Sequence, residues 1–218
     1  MRVHRASLLG AAALSATALL PAAVVGAPAP DQASFVDSQP PYRSPGQLTL
    51  IGSAANNDVS VDLDTTTNEY LVSDRVGLTA GPNCQGTSAT SARCIRFGND
   101  RVVVVLKGGD DRFKVLTTKR GGRVYGRGGN DRIASSAADS AFYGDEGQDR
   151  LRGLGGEDTL DGGRGHDRLY GGPDNDRLFA DNDDRDRTIA CGKGDDDQAF
   201  IDRNLDPKPK GCEHIRRR

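Results

Sequence analysis

Four aspartates, Asp149, Asp158, Asp167 and Asp176, stand nine residues apart, each inside a glycine-rich turn and each followed two residues later by leucine. The units read GDEGQDRLR, GLGGEDTLD, GGRGHDRLY and GGPDNDRLF, filling residues 144–179 with the pattern G-G-x-G-x-D-x-U-x, where U is large and apolar. Carboxylates repeated at a fixed step are suited to holding a hard cation through oxygen. The glycines (Gly144 and Gly147, Gly153 and Gly156, Gly162, Gly163 and Gly165, Gly171 and Gly172) reach positive φ without a Cβ penalty, so the chain can turn tightly and aim the acid. The three residues x-U-x are too few for a helix but enough for a short strand with U pointing inward. Two units then make a coil of eighteen residues with a strand on each side. Turns on one edge stack at roughly 4.8 Å, the spacing between strands. Aspartates eighteen apart become neighbours, and their repulsion calls for a cation between them.

A short fixed period means a stacked architecture. The four units resemble the hemolysin-type calcium-binding repeats of the RTX family. The resemblance implies an all-β, right-handed parallel β-roll, a β-solenoid, with Ca2+ held in its turns. Calcium suits such turns because it takes about 6–8 oxygens, carboxylate and carbonyl alike, in flexible geometry. The expected metal-ligating acids are Asp131, Asp149, Asp158, Asp167 and Asp176, with the turn glycines named above supplying backbone. Pairing at eighteen joins Asp131 to Asp149, Asp149 to Asp167 and Asp158 to Asp176, which predicts three sites. Asp111 could begin a fourth but sits two residues out of register. The units ending at Tyr125 and Tyr143 carry Gly122 and Ser140 at the acid position, so they keep the coil and lose the ligand. Turn aspartates can also cap backbone amides and nothing more. The agreement of turn chemistry with the eighteen-residue pairing favours calcium. Carboxylates shared between sites predict weak binding, on the order of 10⁻⁴ to 10⁻³ M.

The apolar position recurs beyond the glycines. Steps of nine back from Leu178 meet Leu169, Leu160, Leu151, Phe142, Ile133, Val124 and Val115. Alternate members should stack on opposite walls: Val115, Ile133, Leu151 and Leu169 on one, Val124, Phe142, Leu160 and Leu178 on the other. Tryptophan is absent and aromatics make up 5% of the chain, which fits a narrow core fed by one side chain per strand.

The remaining chain divides around this roll. Residues 1–27 read as a signal peptide, with Arg2 and Arg5 before an Ala/Leu-rich run and a small-residue cleavage site near residues 26–29. The competing reading is a membrane anchor, against which Pro21 interrupts the run. RTX proteins usually carry a C-terminal uncleaved export signal, so an N-terminal leader departs from that pattern and implies the general secretory route and an extracellular destination. Residues 28–46 are a proline-rich linker. Residues 47–106 are β-rich, with LTLIG, DVSVDL, EYLVSD and RVVVVL bounded by Gly, Asn and Asp, and read as an irregular N-terminal cap on the stack. Their texture also resembles the leading segments before such repeats in secreted actinobacterial proteins. Residues 107–190 form the calcium-binding roll, and residues 191–218 a C-terminal cap. Losing the leader leaves 27 basic against 31 acidic residues, a mild acidity that does not favour nucleic acid.

Four cysteines in an exported chain argue for disulfides, and of three connectivities Cys84–Cys94 with Cys191–Cys212 closes two local loops. The second loop would staple the last coil, which protects an open β end. After Leu178 the register slips. The run Asp181, Asp183, Asp184, Asp186 fails as an EF-hand, because its sixth and twelfth positions hold Asp186 and Gly192. CGKGDDDQA puts Asp196 at the acid position and Gln198 at the apolar one, a possible terminal half-site.

Arg132, Arg150 and Arg168, eighteen apart, should line one outer wall with Arg152 beside them; Tyr125, Tyr143 and Phe179 face outward on the other. These walls give an alternative function, a cell-surface adhesin or glycan-binding module, against the plainer reading of solubility and cross-strand support. Catalysis finds no footing. His4 lies in the leader, His166 in a variable turn position and His214 in the tail, and neither H-E-x-x-H nor G-x-S-x-G occurs. The expected function is a secreted calcium-binding module that folds with its metal, not an enzyme, with its protein or glycan partner open.

Overall fold

The computed structural model describes residues 34–37, 47–80, 84–95, 101–115, 121–135 and 137–218. The expected signal peptide lies outside them, as does the proline-rich stretch apart from one strand. Every element among the described residues is a strand or a turn. Two sheets face each other, and from β8 (Arg101–Val105) to β18 (Gln198–Ile201) successive strands of the chain alternate between them. The coils are built by β2 (Gln47–Ile51) with β3 (Asp58–Asp64), β8 (Arg101–Val105) with β9 (Arg112–Val115), β10 (Gly122–Gly128) with β11 (Arg132–Ala134), β12 (Ala141–Glu146) with β13 (Arg150–Arg152), β14 (Thr159–Asp161) with β15 (Arg168–Pro173), and β16 (Arg177–Ala180) with β17 (Thr188–Lys193). In each pair the first strand joins one sheet (sheet A) and the second joins the other (sheet B), and all stack in parallel on the coil before. The result is a β-solenoid, consistent with an RTX β-roll.

One inward side chain per short strand builds the core. Val124, Phe142, Leu160 and Leu178 are stacked in register along sheet A. Ile133, Leu151 and Leu169 do the same along sheet B. All seven are buried. The expected partner of Ile133 was Val115; the structure pairs Ile133 with Phe113, twenty residues back, and sets Val115 beside Val61. The coil between is two residues longer than the repeat. Side chains alternate faces with a period of two, so a two-residue slip keeps both Phe113 and Val115 inward. The apolar ladder therefore looks unbroken in sequence although its register changes.

Ahead of the regular coils the chain makes an antiparallel excursion. β4 (Glu69–Asp74), β6 (Cys84–Ser88) and β7 (Ser91–Ile95) extend sheet B beyond β3. β5 (Leu78–Ala80) and β1 (Ser34–Asp37) close sheet A beyond β2. The strand β1 falls within residues 28–46, where composition suggests a linker; its Ser-Phe-Val-Asp run pairs antiparallel with β2. At the other end β18 (Gln198–Ile201) and β19 (His214–Arg217) add to sheet A. Disulfides join Cys84 to Cys94 across β6 and β7, and Cys191 of β17 to Cys212. No helix among the described residues is long and apolar enough to cross a membrane.

Candidate metal centre

The turn glycines serve two different physical needs. The second and fourth residues of each unit have positive φ: Asp145 and Gly147, Leu154 and Gly156, Gly163 and Gly165, Gly172 and Asp174. This left-handed pairing gives the tight bend, and glycine adopts it free of steric cost. The first residue of each unit is glycine for lack of space. A Cβ on Gly144, Gly153, Gly162 or Gly171 would stand under 3.0 Å from the Oδ2 of Asp149, Asp158, Asp167 or Asp176 respectively. At Gly144 the carbonyl oxygen of Gly162, one coil on, crowds the same point, and at Gly153 that of Gly171 does. At Gly171 it is that of Cys191, so these three turns each bring a carboxylate oxygen and a neighbouring coil's carbonyl oxygen to one small cradle.

The acids form two continuous ladders. On one edge the amide of Asp111 donates to Oδ1 of Asp131 at 2.9 Å, that of Asp131 to Asp149 at 2.7 Å, and that of Asp149 to Asp167 at 2.7 Å. The ladder continues from Asp167 to Asp186 at 2.8 Å and from Asp186 to Asp206 at 2.9 Å. On the other edge Ser140 donates to Asp158 at 2.8 Å, Asp158 to Asp176 at 2.9 Å and Asp176 to Asp197 at 2.7 Å. Asp206, at the end of its ladder, accepts at both oxygens, the second from the amide of Asp202; in every other acceptor one carboxylate oxygen is used and the other is not. The Oδ2 atoms of Asp131, Asp149, Asp158, Asp167 and Asp176 are buried without a hydrogen-bond partner, and so are those of Asp111, Asp186 and Asp197. An unpaired polar atom in the interior costs about 1–3 kcal/mol, more when charged. A row of such atoms asks for a ligand.

Burial pushes these carboxyls up from their ordinary 3.8, against the pull of the donated amide. Asp149 rises to about 6, Asp131 and Asp176 to about 7, and Asp158 and Asp167 to about 8. Neighbouring carboxylates in the ladder add to the rise, Asp149 beside Asp131 and Asp176 beside Asp158 among them. Without a counter-charge these groups sit poorly as anions near neutral pH.

Residues 143–178 match the family model of the RTX calcium-binding nonapeptide repeat, in four copies. These residues are RTX calcium-binding repeats. Repeats of this kind bind Ca2+. No curated protein and no solved structure matches the chain.

The RTX turns present oxygen and nothing softer, which fits a hard cation. Among the described residues no group of three or more His, Cys, Asp or Glu side chains gathers at one point. An ion in an RTX turn would therefore combine one or two carboxylates with backbone carbonyls such as those of Gly162 and Gly171, a donor set that calcium accepts. The five acids expected from sequence all fall on the two ladders, and the pairs Asp131 with Asp149, Asp149 with Asp167 and Asp158 with Asp176 are each linked directly.

Asp111, Asp186 and Asp197 lie outside the RTX match and also carry an unpartnered Oδ2, and counting by nine misplaces them. Asp111 is a full rung, because the coil that carries it is twenty residues long and absorbs the two-residue offset. Asp186 is a rung nineteen residues after Asp167. The terminal acid is Asp197 and not Asp196, since the last coil has twenty-one residues; Ala199 then takes the inward place expected of Gln198. Asp196 is exposed and lies 2.9 Å from His214 instead. A signal for two of the three was present: Asp111 and Asp186 are each followed by arginine, as Asp131, Asp149, Asp167 and Asp176 are. The ladder ends are polar too. Asn57 donates its amide to Asp111 at one end, and Glu213 accepts the amide of Asp197 at the other.

Proposed function

We propose that the chain is a secreted module whose β-roll is completed by calcium. The observation that carries this reading is the row of buried, unpartnered Oδ2 atoms along both acid ladders. Asp131 with Asp149, Asp149 with Asp167, and Asp158 with Asp176 would hold Ca2+ between turns eighteen residues apart, together with carbonyls of the position-one and position-two glycines. Asp111, Asp186 and Asp197 would extend the same binding beyond the repeats. Residues 1–27 would be removed on export, residues 47–106 would cap one end of the stack, and residues 191–218 the other. The two disulfides support an oxidising, extracellular setting.

Ligand binding that needs the folded turn is folding free energy. Extracellular calcium at millimolar level would then act as the trigger for folding after export, and a low-calcium compartment would leave residues 144–179 open. The test is circular dichroism and melting of leaderless protein, with calcium and with chelator, beside a calcorimetric titration. Calcium should raise the melting temperature and restore a β spectrum. An unchanged spectrum and melt, with no binding heat at millimolar calcium, would sink the proposal.

A further inference from the structure

We propose that the outer face of sheet B, from β9 to β15, is a binding face for a linear anionic polysaccharide. Arg112, Arg132, Arg150 and Arg168 occupy directly paired positions on four neighbouring strands. A second column beside them holds Lys114, Ala134, Arg152 and Tyr170. None of these outward positions is acidic. The ion pairs among the described residues engage Arg93, Arg127, His214 and Arg218, and none of the six cations on this face.

Stacked like charges on paired strands oppose folding, and the repeat does not require them. The matching column of sheet A reads Val103, Arg123, Ala141, Thr159 and Arg177, so arginine is dispersed there. Solubility is served equally well by that mixed wall. On sheet B the arginines are continuous, and one has a buried donor without an acceptor, Nε of Arg150. The guanidinium groups of Arg150 and Arg152 lie 5.3 and 5.5 Å from the ring centre of Tyr170, which braces both.

The partner follows from the geometry. The column repeats about every 4.8 Å along the stack, so it matches a polymer carrying carboxylate or sulfate groups at regular intervals. Arginine pairs with such planar or branched oxyanions through two parallel donors. Single-stranded nucleic acid is recognised on open aromatic platforms, and the one aromatic side chain of this face is already covered by two arginines. A polysaccharide read by charge alone fits better.

The test uses calcium-saturated, leaderless protein and labelled heparin as the probe, with neutral dextran and a thymidine oligonucleotide for comparison. Heparin should bind and weaken steeply with salt. The triple variant Arg132→Gln, Arg150→Gln, Arg168→Gln should lose about tenfold or more in affinity and show a shallower salt slope, because counterion release scales with the charges engaged. The triple variant Arg123→Gln, Arg177→Gln, Arg203→Gln removes equal charge elsewhere and should retain wild-type affinity. If the first triple variant melts early, Arg132→Gln and Arg168→Gln singly carry the comparison. Absence of heparin binding, equal losses in both triple variants, or oligonucleotide binding as tight as heparin would overturn the proposal.

Discussion

The amide of Asp149 donates to Oδ1 of Asp167, one coil on, at 2.7 Å, while Oδ2 of Asp167 is buried with no partner. One carboxylate thus holds the stack together with half of its oxygens and offers the other half to a cation. Asp167→Asn separates the two roles. The amide oxygen can keep the bond from Asp149, whereas the anionic ligand is gone. Calcium-loaded protein should lose about 1–3 kcal/mol, the cost of leaving a charged partner unmatched. Metal-free protein should be no less stable than wild type, since a buried charge has been removed. Melts with calcium and with chelator read both values.

The pH response should reverse sign with calcium. Burial holds Asp158 and Asp167 up at about 8 and Asp149 at about 6 in the fold, against 3.8 for an ordinary aspartate. The native state therefore binds more protons than the unfolded chain between these values. Without metal, the contribution is fully present below about pH 4 and is lost as pH rises through about 6 to 8. With calcium, protons compete for the same oxygens, so affinity should fall as pH drops through that window. Denaturant melts from pH 5 to 9, with and without calcium, check both slopes.

Gly144 and Gly128 offer a matched comparison. A methyl on Gly144 would meet Oδ2 of Asp149 and the carbonyl of Gly162, whereas one on Gly128 would meet nothing within 4 Å. Gly144→Ala should cost about 1–3 kcal/mol through overpacking and should weaken calcium binding. Gly128→Ala should stay within about 0.5 kcal/mol of wild type. Denaturant unfolding in saturating calcium distinguishes them.

Asp196 and Asp197 are adjacent in sequence and opposite in role. Asp197→Asn should lower the calcium stoichiometry, since its Oδ2 is buried and unpartnered. Asp196→Asn removes only an exposed pairing with His214, worth about 0–1 kcal/mol at most. Titration calorimetry of the two variants gives the answer; equal stoichiometry would place the last site elsewhere.

The regular coils were open to reading from residues alone. Where the step stays at eighteen, from Asp131 to Asp167 and from Asp158 to Asp176, the acid, the inward leucine and the partner strand follow from glycine geometry and the two-residue alternation of a strand. The cysteine pairs were readable as well, because each closes a short loop. The antiparallel excursion through β4, β6 and β7 was not, since alternation shows that a segment is a strand and leaves its neighbours undetermined.

The amino-acid order determined the repeating unit, its inward side chain, its acid and the oxygen chemistry of the turn, all of which are local and recur at a constant interval. Tertiary structure decided which coils depart from that interval. Strand pairing is fixed by the buried side chains and the backbone ladder, so a coil can take in one to three extra residues and still deliver Asp111, Asp186 or Asp197 to its rung. Only folding in three dimensions could also place Asn57 and Glu213, far apart along the chain, as the polar ends of the two acid rows.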